Sequence, residues 1–201
     1  IAVNSVGHAH PRLVRAIADQ ASKLIHCSNY FNIDLQEKVA EKLVEHSGLE
    51  AVFFCNSGLE ANECAIKIAR KFGHAKSIEV PNIIVLKHAF HGRSIATLSA
   101  TGNPSVREDF SPYTEGFIFV DESDLDGIRK IVEENKNVVA IFFEPILGEG
   151  GVVPIDLSVI KGIREICDEH DLLMMCDEVQ CGMGRSGKWF AHQWAEIKPD
   201  V

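Results

Sequence analysis

The chain has 201 residues, 46% of them hydrophobic, and its 20 Lys and Arg residues against 29 Asp and Glu residues give a formal net charge of −9. This composition excludes a disordered chain, and the acidic balance argues against nucleic acid or an anionic membrane as the main partner. No apolar run approaches the roughly 20 residues that a membrane span requires. The six cysteines show no metal-ligand spacing, so we expect no metal site and free thiols in a reducing cytoplasm.

Helical and strand patterns alternate along the chain. In order, we predict a helix from residue 11 to about 26, a helix from 34 to near 48, a strand at 51–55, a helix from 58 to about 72, strands at 82–88 and 116–120, a helix capped by Ser123, a strand at 138–143, a helix at 158–170 and a strand at 172–176. Strands separated by helices imply an α/β fold with a mostly parallel sheet layered between helices. Ligands collect at the carboxyl ends of such strands.

The segment Asn56-Ser57-Gly58-Leu59 joins a predicted strand to a predicted helix. Gly58 permits close backbone approach to a ligand, Ser57 offers a hydroxyl, and the first N–H groups of the helix point outward at its positive end, which together make a phosphate cradle. The P-loop and GxGxxG patterns are both absent from the sequence. The same residues are typical of an ordinary serine-capped helix, and the segment alone does not separate the two interpretations.

Two further strand ends carry polar residues. Asp177 follows a buried apolar run, where a carboxylate is costly unless a cation pairs with it. The candidate cations are a metal shared with Glu178, an arginine and a protonated ring nitrogen, and a plain turn-capping role stays open. Phe90 can stack on a planar ligand and Arg93 can bind a carboxylate, although a core phenylalanine and a solvated arginine would give the same sequence.

Two carboxylates five residues apart, Glu144 and Glu149, follow the predicted strand at 138–143 in a glycine-rich stretch. Such a pair suits glycosidase acid–base chemistry, but nothing else in the chain indicates a sugar site. Taken together, the phosphate cradle, the stacking aromatic, the buried carboxylate and the arginine suit a planar, cationic, phosphorylated cofactor acting on an amino acid. Pyridoxal phosphate has that shape, and an aspartate is the usual partner of its ring nitrogen.

Five short stretches of the sequence, taken together and in this order, are specific for one protein family. They are residues 1–11 (IAVNSVGHAHP), 56–63 (NSGLEANE), 90–93 (FHGR), 144–151 (EPILGEGG) and 177–185 (DEVQCGMGR). With these stretches the chain resembles the class III pyridoxal-phosphate aminotransferases, and among them the group that acts on N-acetylornithine. The resemblance covers essentially the whole chain and implies that residues 1–201 form most of the large, cofactor-binding domain of the fold-type-I transferases.

The resemblance implies that seven residues bind the cofactor. Its phosphate would be held by Ser57, Gly58 and Leu59, its ring faces would be covered by Phe90 and Val179, and its ring nitrogen and phenolic oxygen would lie beside Asp177 and Gln180, respectively. Asp177 would keep the ring nitrogen protonated, so that the ring withdraws electrons from the substrate Cα. It is therefore the expected catalytic residue of this chain.

The resemblance also implies four substrate-binding residues. Arg93 would bind the α-carboxylate of 2-oxoglutarate or glutamate, and Glu149 would pair with an arginine from a C-terminal domain. Asn29 and Tyr30 would line the substrate entrance. The implied reaction moves an amino group from N-acetylornithine to 2-oxoglutarate through pyridoxamine phosphate, in a cytoplasmic homodimer that makes no use of nucleic acid or membrane.

Two departures from the family pattern bear on this expectation. Leu147 stands where the family very often has glutamine, which removes a polar group near the cofactor. The Schiff-base lysine belongs shortly after the Pro-Asp-Val stretch at 199–201, so we expect a piece of a longer protein that lacks the small C-terminal domain and is inactive by itself. The alternatives are another class III specificity (ornithine, succinylornithine, succinyldiaminopimelate or 4-aminobutyrate) and a non-catalytic binding or scaffold protein.

Overall fold

A computed structural model describes residues 2–201, and the chain divides into two units, one ending at Val52 and the other running from Phe53 to Val201. Ile1, the first residue of the first matching stretch, lies outside the described residues. No helix in the described part of the chain is long and apolar enough to cross a membrane.

The first unit contains helix α1 (Pro11–Ala21) and helix α2 (Asp34–Ser47), and none of its described side chains is buried. Helix α2 ends as predicted, because Gly48 adopts a left-handed conformation with φ of 75°. Helix α1 is shorter than predicted. It ends at Ala21, and the side chain of Gln20 donates to the carbonyl of Leu24 just beyond that end.

The second unit contains the sheet and most of the helices. Its elements are α3 (Gly58–Ala75), β1 (Asn82–Leu86), α4 (Ile95–Ala100), α5 (Pro104–Arg107), β2 (Phe117–Val120), α6 (Leu125–Glu134), β3 (Val138–Phe143), β4 (Ile146–Leu147), β5 (Val153–Pro154), α7 (Leu157–His170), β6 (Leu173–Cys176) and a 3₁₀ turn at Ala191–Trp194. Four strands pair in parallel in the order β2-β1-β3-β6, while β4 and β5 form a separate antiparallel pair. The predicted α/β class is confirmed.

Side chains of the sheet enter two separate apolar cores. One core joins α3 to one face of the sheet, through Ala65, Ile66, Ala69, Ile83, Val85, Phe142 and Met175. The other joins α6 and α7 to the opposite face, through Ile128, Val132, Ile160, Ile163, Ile84, Leu86, Ile141, Phe143 and Met174. Strand β3 lies between β1 and β6 and is buried along its whole length, which explains its unbroken apolar sequence.

Two sequence predictions are wrong in this unit or at its boundary. Residues 51–55 form no strand: Phe53 is 69% exposed, and none of the strand pairs in the described chain includes this segment. An apolar run becomes a strand only where a neighbouring strand completes its backbone hydrogen bonds. Helix α6 is capped by Asp124 and not by Ser123, since the Asp124 carboxylate accepts the N–H of Gly127 at 2.8 Å.

Candidate functional site

The carboxyl ends of three neighbouring strands bring the predicted polar residues to one edge of the sheet. The chain leaves β1 towards Phe90, β3 at Glu144 and β6 at Asp177. The N–H of Phe90 donates to Oε2 of Glu144 at 2.8 Å, and the N–H of Asp177 donates to the carbonyl of Phe143 at 2.8 Å. Residues that are far apart in the sequence therefore form one site.

Asp177 is buried at the centre of this site, with 5% of the residue exposed. Its Oδ2 accepts from Nδ2 of Asn62 at 2.7 Å and lies 2.8 Å from Nδ1 of His91. Its Oδ1 accepts the N–H of Val179 at 3.1 Å. Each carboxylate oxygen can accept more than one hydrogen bond, so Oδ1 retains capacity for another donor.

Asn62 and His91 fix the orientation of Asp177, and neither role was predicted from the sequence. Nδ2 of Asn62 also donates to the carbonyl of His91 at 2.8 Å, which defines the amide orientation because only the NH₂ group can serve two acceptors. The His91 ring stacks on Phe142 with ring centroids 3.9 Å apart, and its Nε2 is buried without a hydrogen-bond partner. The available signal was a polar residue, Asn62, within the apolar face of a predicted helix.

The N-terminus of α3 lies directly against Val179, two residues after Asp177. A Cβ atom on Gly58 would lie 2.4 Å from Cγ1 of Val179, so only glycine allows this approach. Ser57 caps the helix, because its Oγ accepts the N–H of Glu60 at 3.2 Å. The N–H groups of Gly58 and Leu59 are in the first turn, where a helix offers them no acceptor. The serine cap is therefore present, and the phosphate role stays a prediction.

Phe90 and Arg93 lie on one loop after β1. The guanidinium carbon of Arg93 is 6.0 Å from the centroid of the Phe90 ring, and the Arg93 side chain is exposed. Between them Gly92 has φ of 134°, and a Cβ atom there would lie 2.6 Å from Oγ1 of Thr97. The loop therefore depends on glycine to turn back against α4, leaving the arginine open to a ligand.

Glu178 holds the turn that carries Val179 and Gln180. Its partly buried carboxylate accepts the backbone N–H groups of Ala191 and His192, and its Oε1 lies 2.8 Å from Nδ1 of His192. Asp177 and Glu178 thus bind different partners and do not share a metal-binding position. In residues 2–201 no group of three or more His, Cys, Asp or Glu side chains is placed to hold a metal ion.

The predicted substrate residues are divided between the two units of the chain. Glu149 is exposed and lines a surface cavity of about 430 Å³ together with Lys87, His88 and Asn103. This cavity adjoins the site through His88, two residues before Phe90. Asn29 and Tyr30 belong to the other unit, where Tyr30 is 93% exposed, so their role at the substrate entrance stays a prediction.

Leu147, the departure from the family pattern, is part of the apolar core. It is 1% exposed and packs with residues of the core that joins α6 and α7 to the sheet. A leucine is well suited to that position because it has no polar group to satisfy.

The chain is similar to known aminotransferases along its whole length. The aminotransferase class-III family model matches residues 1–201. The acetylornithine aminotransferase of Nitrosomonas europaea is 51% identical over 201 residues, which are 100% of this chain and 51% of that protein. The acetylornithine aminotransferase of Methanocaldococcus jannaschii is 45% identical over 202 residues, covering 100% of this chain and 50% of that protein. The chain thus spans about half the length of these curated relatives.

Solved structures show the same fold. The ornithine aminotransferase of Toxoplasma gondii, described with partial occupancy of PLP at its active site, aligns with a TM-score of 0.93 at 33% identity over 99% of this chain and 48% of that chain. The N-acetylornithine aminotransferase of Stenotrophomonas maltophilia aligns with a TM-score of 0.85 at 39% identity over 100% of this chain and 50% of that chain.

Proposed function

The chain belongs to the class III aminotransferase family, and from this premise we propose that the complete protein uses pyridoxal phosphate to move an amino group from N-acetylornithine to 2-oxoglutarate. The observation that carries the proposal is the environment of Asp177. This carboxylate is buried at a strand end and oriented by Asn62 and His91. Val179, whose N–H binds the same carboxylate, packs against Gly58 at the N-terminus of α3.

The residues of the site fit the proposed cofactor. Oδ1 of Asp177 has capacity for one more donor beside the N–H of Val179, as a protonated ring nitrogen would require. The first-turn N–H groups of Gly58 and Leu59 suit a phosphate, because the positive end of a helix favours an anion. Phe90 and Val179 supply the two apolar surfaces that would enclose a flat ring.

Pyridoxal phosphate, when bound, supplies an electron-withdrawing ring that stabilises negative charge at the substrate Cα. The part of this chain is to keep a proton on the ring nitrogen, and an ionised Asp177 would do so. His91 and Asn62 donate to Oδ2 and prevent the carboxylate from rotating. Since an ionised carboxylate only accepts hydrogen bonds, the proton shared between Nδ1 of His91 and Asp177 belongs to the histidine.

Residues on the exposed side of the site would select the substrate. We propose that Arg93 binds the α-carboxylate of 2-oxoglutarate, because an exposed guanidinium beside an aromatic ring is suited to bidentate carboxylate binding. Glu149, at the adjoining cavity, would pair with an arginine elsewhere in the complete protein and respond to the charge of the amino donor. Asn29 and Tyr30 would complete the entrance.

We further propose that the complete protein is a homodimer in the cytoplasm. The exposed apolar side chains of the first unit support the dimer, because Leu13, Ile17 and Tyr30 are 43%, 61% and 93% exposed. All six cysteines are free thiols, which suits a reducing compartment. Light scattering of the complete protein after gel filtration tests the dimer, and a monomeric mass would contradict it.

The substrate assignment is tested by initial rates of the complete, cofactor-loaded protein with 2-oxoglutarate as acceptor. We expect the highest kcat/KM with N-acetylornithine when it is compared with ornithine, succinylornithine, succinyldiaminopimelate and 4-aminobutyrate. A higher kcat/KM with one of the other donors would show that this donor, and not N-acetylornithine, is the preferred substrate. No transamination with any donor would instead support a non-catalytic binding or scaffold role.

A further inference from the structure

Glu144 is a buried carboxylate to which the proposed function assigns no role. It follows β3 and is 2% exposed. Its Oε2 accepts the N–H of Phe90 at 2.8 Å, and its Oε1 accepts the N–H of Gly148 at 3.1 Å. Each oxygen thus binds the main chain of a different segment, one after β1 and one after β4.

These two segments carry the residues expected to contact cofactor and substrate. The first begins with Phe90, whose ring lies under the guanidinium of Arg93. In the second, Gly148 precedes Glu149 and packs against the side chain of Gln180, since a Cβ atom on Gly148 would lie 2.2 Å from Oε1 of Gln180. A displacement of either main-chain segment would therefore change the cofactor-facing and the substrate-facing residues together.

Only an ionised carboxylate suits this arrangement, because it accepts at both oxygens. Burial raises the pKa of Glu144 to about 7, since desolvation outweighs the two N–H bonds and the attraction of His91, and Asp177 adds to the rise. Protonation or replacement by an amide places a donor at one of the two oxygens and so removes one of the two bonds. The titratable groups facing Glu144 are His91 and Asp177, and the thiol of Cys181 is also near enough for its pKa to be raised by Glu144.

We propose that Glu144 is a positioning residue, whose carboxylate holds the Phe90–Arg93 loop and the Gly148–Glu149 turn in one common arrangement. The proposal deepens the proposed function and rests on it. Glu144 acts through the main chain of Phe90 and Gly148 and is not itself a catalytic residue.

The first test measures hydrogen exchange in the complete protein after the cofactor has been removed. In Glu144→Gln, at least one of the peptides covering Phe90–Arg93 and Gly148–Glu149 should exchange at least about 10-fold faster than in the wild type, because the amide leaves one of the two N–H groups without its acceptor. Glu169→Gln is the matched control, since Glu169 is exposed on α7 and pairs with Arg129. Unchanged exchange in both peptides would overturn the proposal.

The second test measures kinetics and the pH profile of the cofactor-loaded protein. Glu144→Gln should lower kcat/KM at least about 10-fold, as misplaced binding groups do, and should lose the wild-type decrease in activity below about pH 7 that comes from protonation of Glu144. If the glutamine variant does not fold, Glu144→Asp replaces it in the test. The shorter aspartate side chain keeps the charge but does not reach both N–H groups, so kcat/KM should again be lowered. Wild-type kcat/KM and pH profile in a folded variant would overturn the proposal.

The two proposals fail in different ways. If the wild type shows no transamination, the proposed function fails and the role of Glu144 in it fails as well. If the wild type transaminates and the Glu144 variants match it in rate, pH profile and exchange, only the positioning role is refuted.

Discussion

Asp177 shows how a single buried side chain is oriented in this chain. Its carboxylate receives three hydrogen bonds, from Asn62, His91 and the N–H of Val179, although it is buried. A buried carboxylate that is fully oriented before any ligand arrives loses little free energy on binding a cation. The cost of that preparation is the desolvation of the charge, which the three donors offset.

We predict that Asp177→Asn in the complete protein lowers transamination at least about 100-fold, because the amide is neutral and cannot hold a proton on a ring nitrogen. The amide oxygen can still accept from Asn62 and His91, so the folded structure should remain. The free energy of unfolding should fall by about 1–3 kcal/mol, because the amide NH₂ and the N–H of Val179 are both donors and leave each other unpaired. Steady-state rates and circular dichroism measure the two effects. Asp168→Asn, at an exposed carboxylate on α7, is the control. Near-normal activity in Asp177→Asn would remove Asp177 from the mechanism.

At the level of elements, local signals identified most helices and strands but not all of their ends. The predicted β3 and α2 agree closely with the structure, since unbroken apolar sequence and a glycine stop are local signals. The cap of α6 was misassigned by one residue, because serine and aspartate are both good caps and they are adjacent at 123 and 124. The strand at 51–55 was wrong because strand formation depends on a partner that the segment itself does not specify.

The cap of α6 gives a paired stability prediction. Asp124→Ala should lower the free energy of unfolding by about 1 kcal/mol, because the N–H of Gly127 loses its acceptor. Ser123→Ala should change it by less than about 0.5 kcal/mol. Urea denaturation of the complete protein and both variants compares them directly. Equal losses in the two variants would contradict the assignment of the cap to Asp124.

For the molecule as a whole, the sequence predicted that polar stretches meet at the carboxyl ends of the strands, but it did not predict which hydrogen bonds hold them there. The stretches at 56–63, 90–93, 144–151 and 177–185 converge at one edge of the sheet. The bonds that orient them join residues far apart in the chain, since Asn62 and Asp177 are separated by 115 positions and His91 and Asp177 by 86. Sequence periodicity and motif spacing predict structure within single helices and strands. Contacts between residues this far apart in the sequence are therefore seen only in the folded chain.

Glu144 also gives the stability of the whole molecule a pH dependence. Its pKa rises from 4.5 to about 7 on folding, so the folded state binds the proton more tightly than the unfolded state. The contribution of Glu144 to stability is therefore greatest below about pH 4.5 and falls as the pH rises towards 7. The free energy of unfolding of Glu144→Gln minus that of the wild type should therefore increase by about 2 kcal/mol from pH 5 to pH 8. Denaturant titrations of the cofactor-free protein at both values measure this gain, and a difference that does not change with pH would contradict it.

Helix α3 contributes to the site at two points that belong to one rigid body. Gly58, at its start, lies against Val179, and Asn62, one turn later, holds Asp177. The helical rise of 1.5 Å per residue places these points about 6 Å apart along the axis. Under the proposed function, the first turn of α3 would therefore act as a fixed spacer that sets the distance between the cofactor phosphate at its N-terminus and the ring nitrogen at Asp177. Inserting one residue between them would rotate Asn62 by about 100° and separate the two functions.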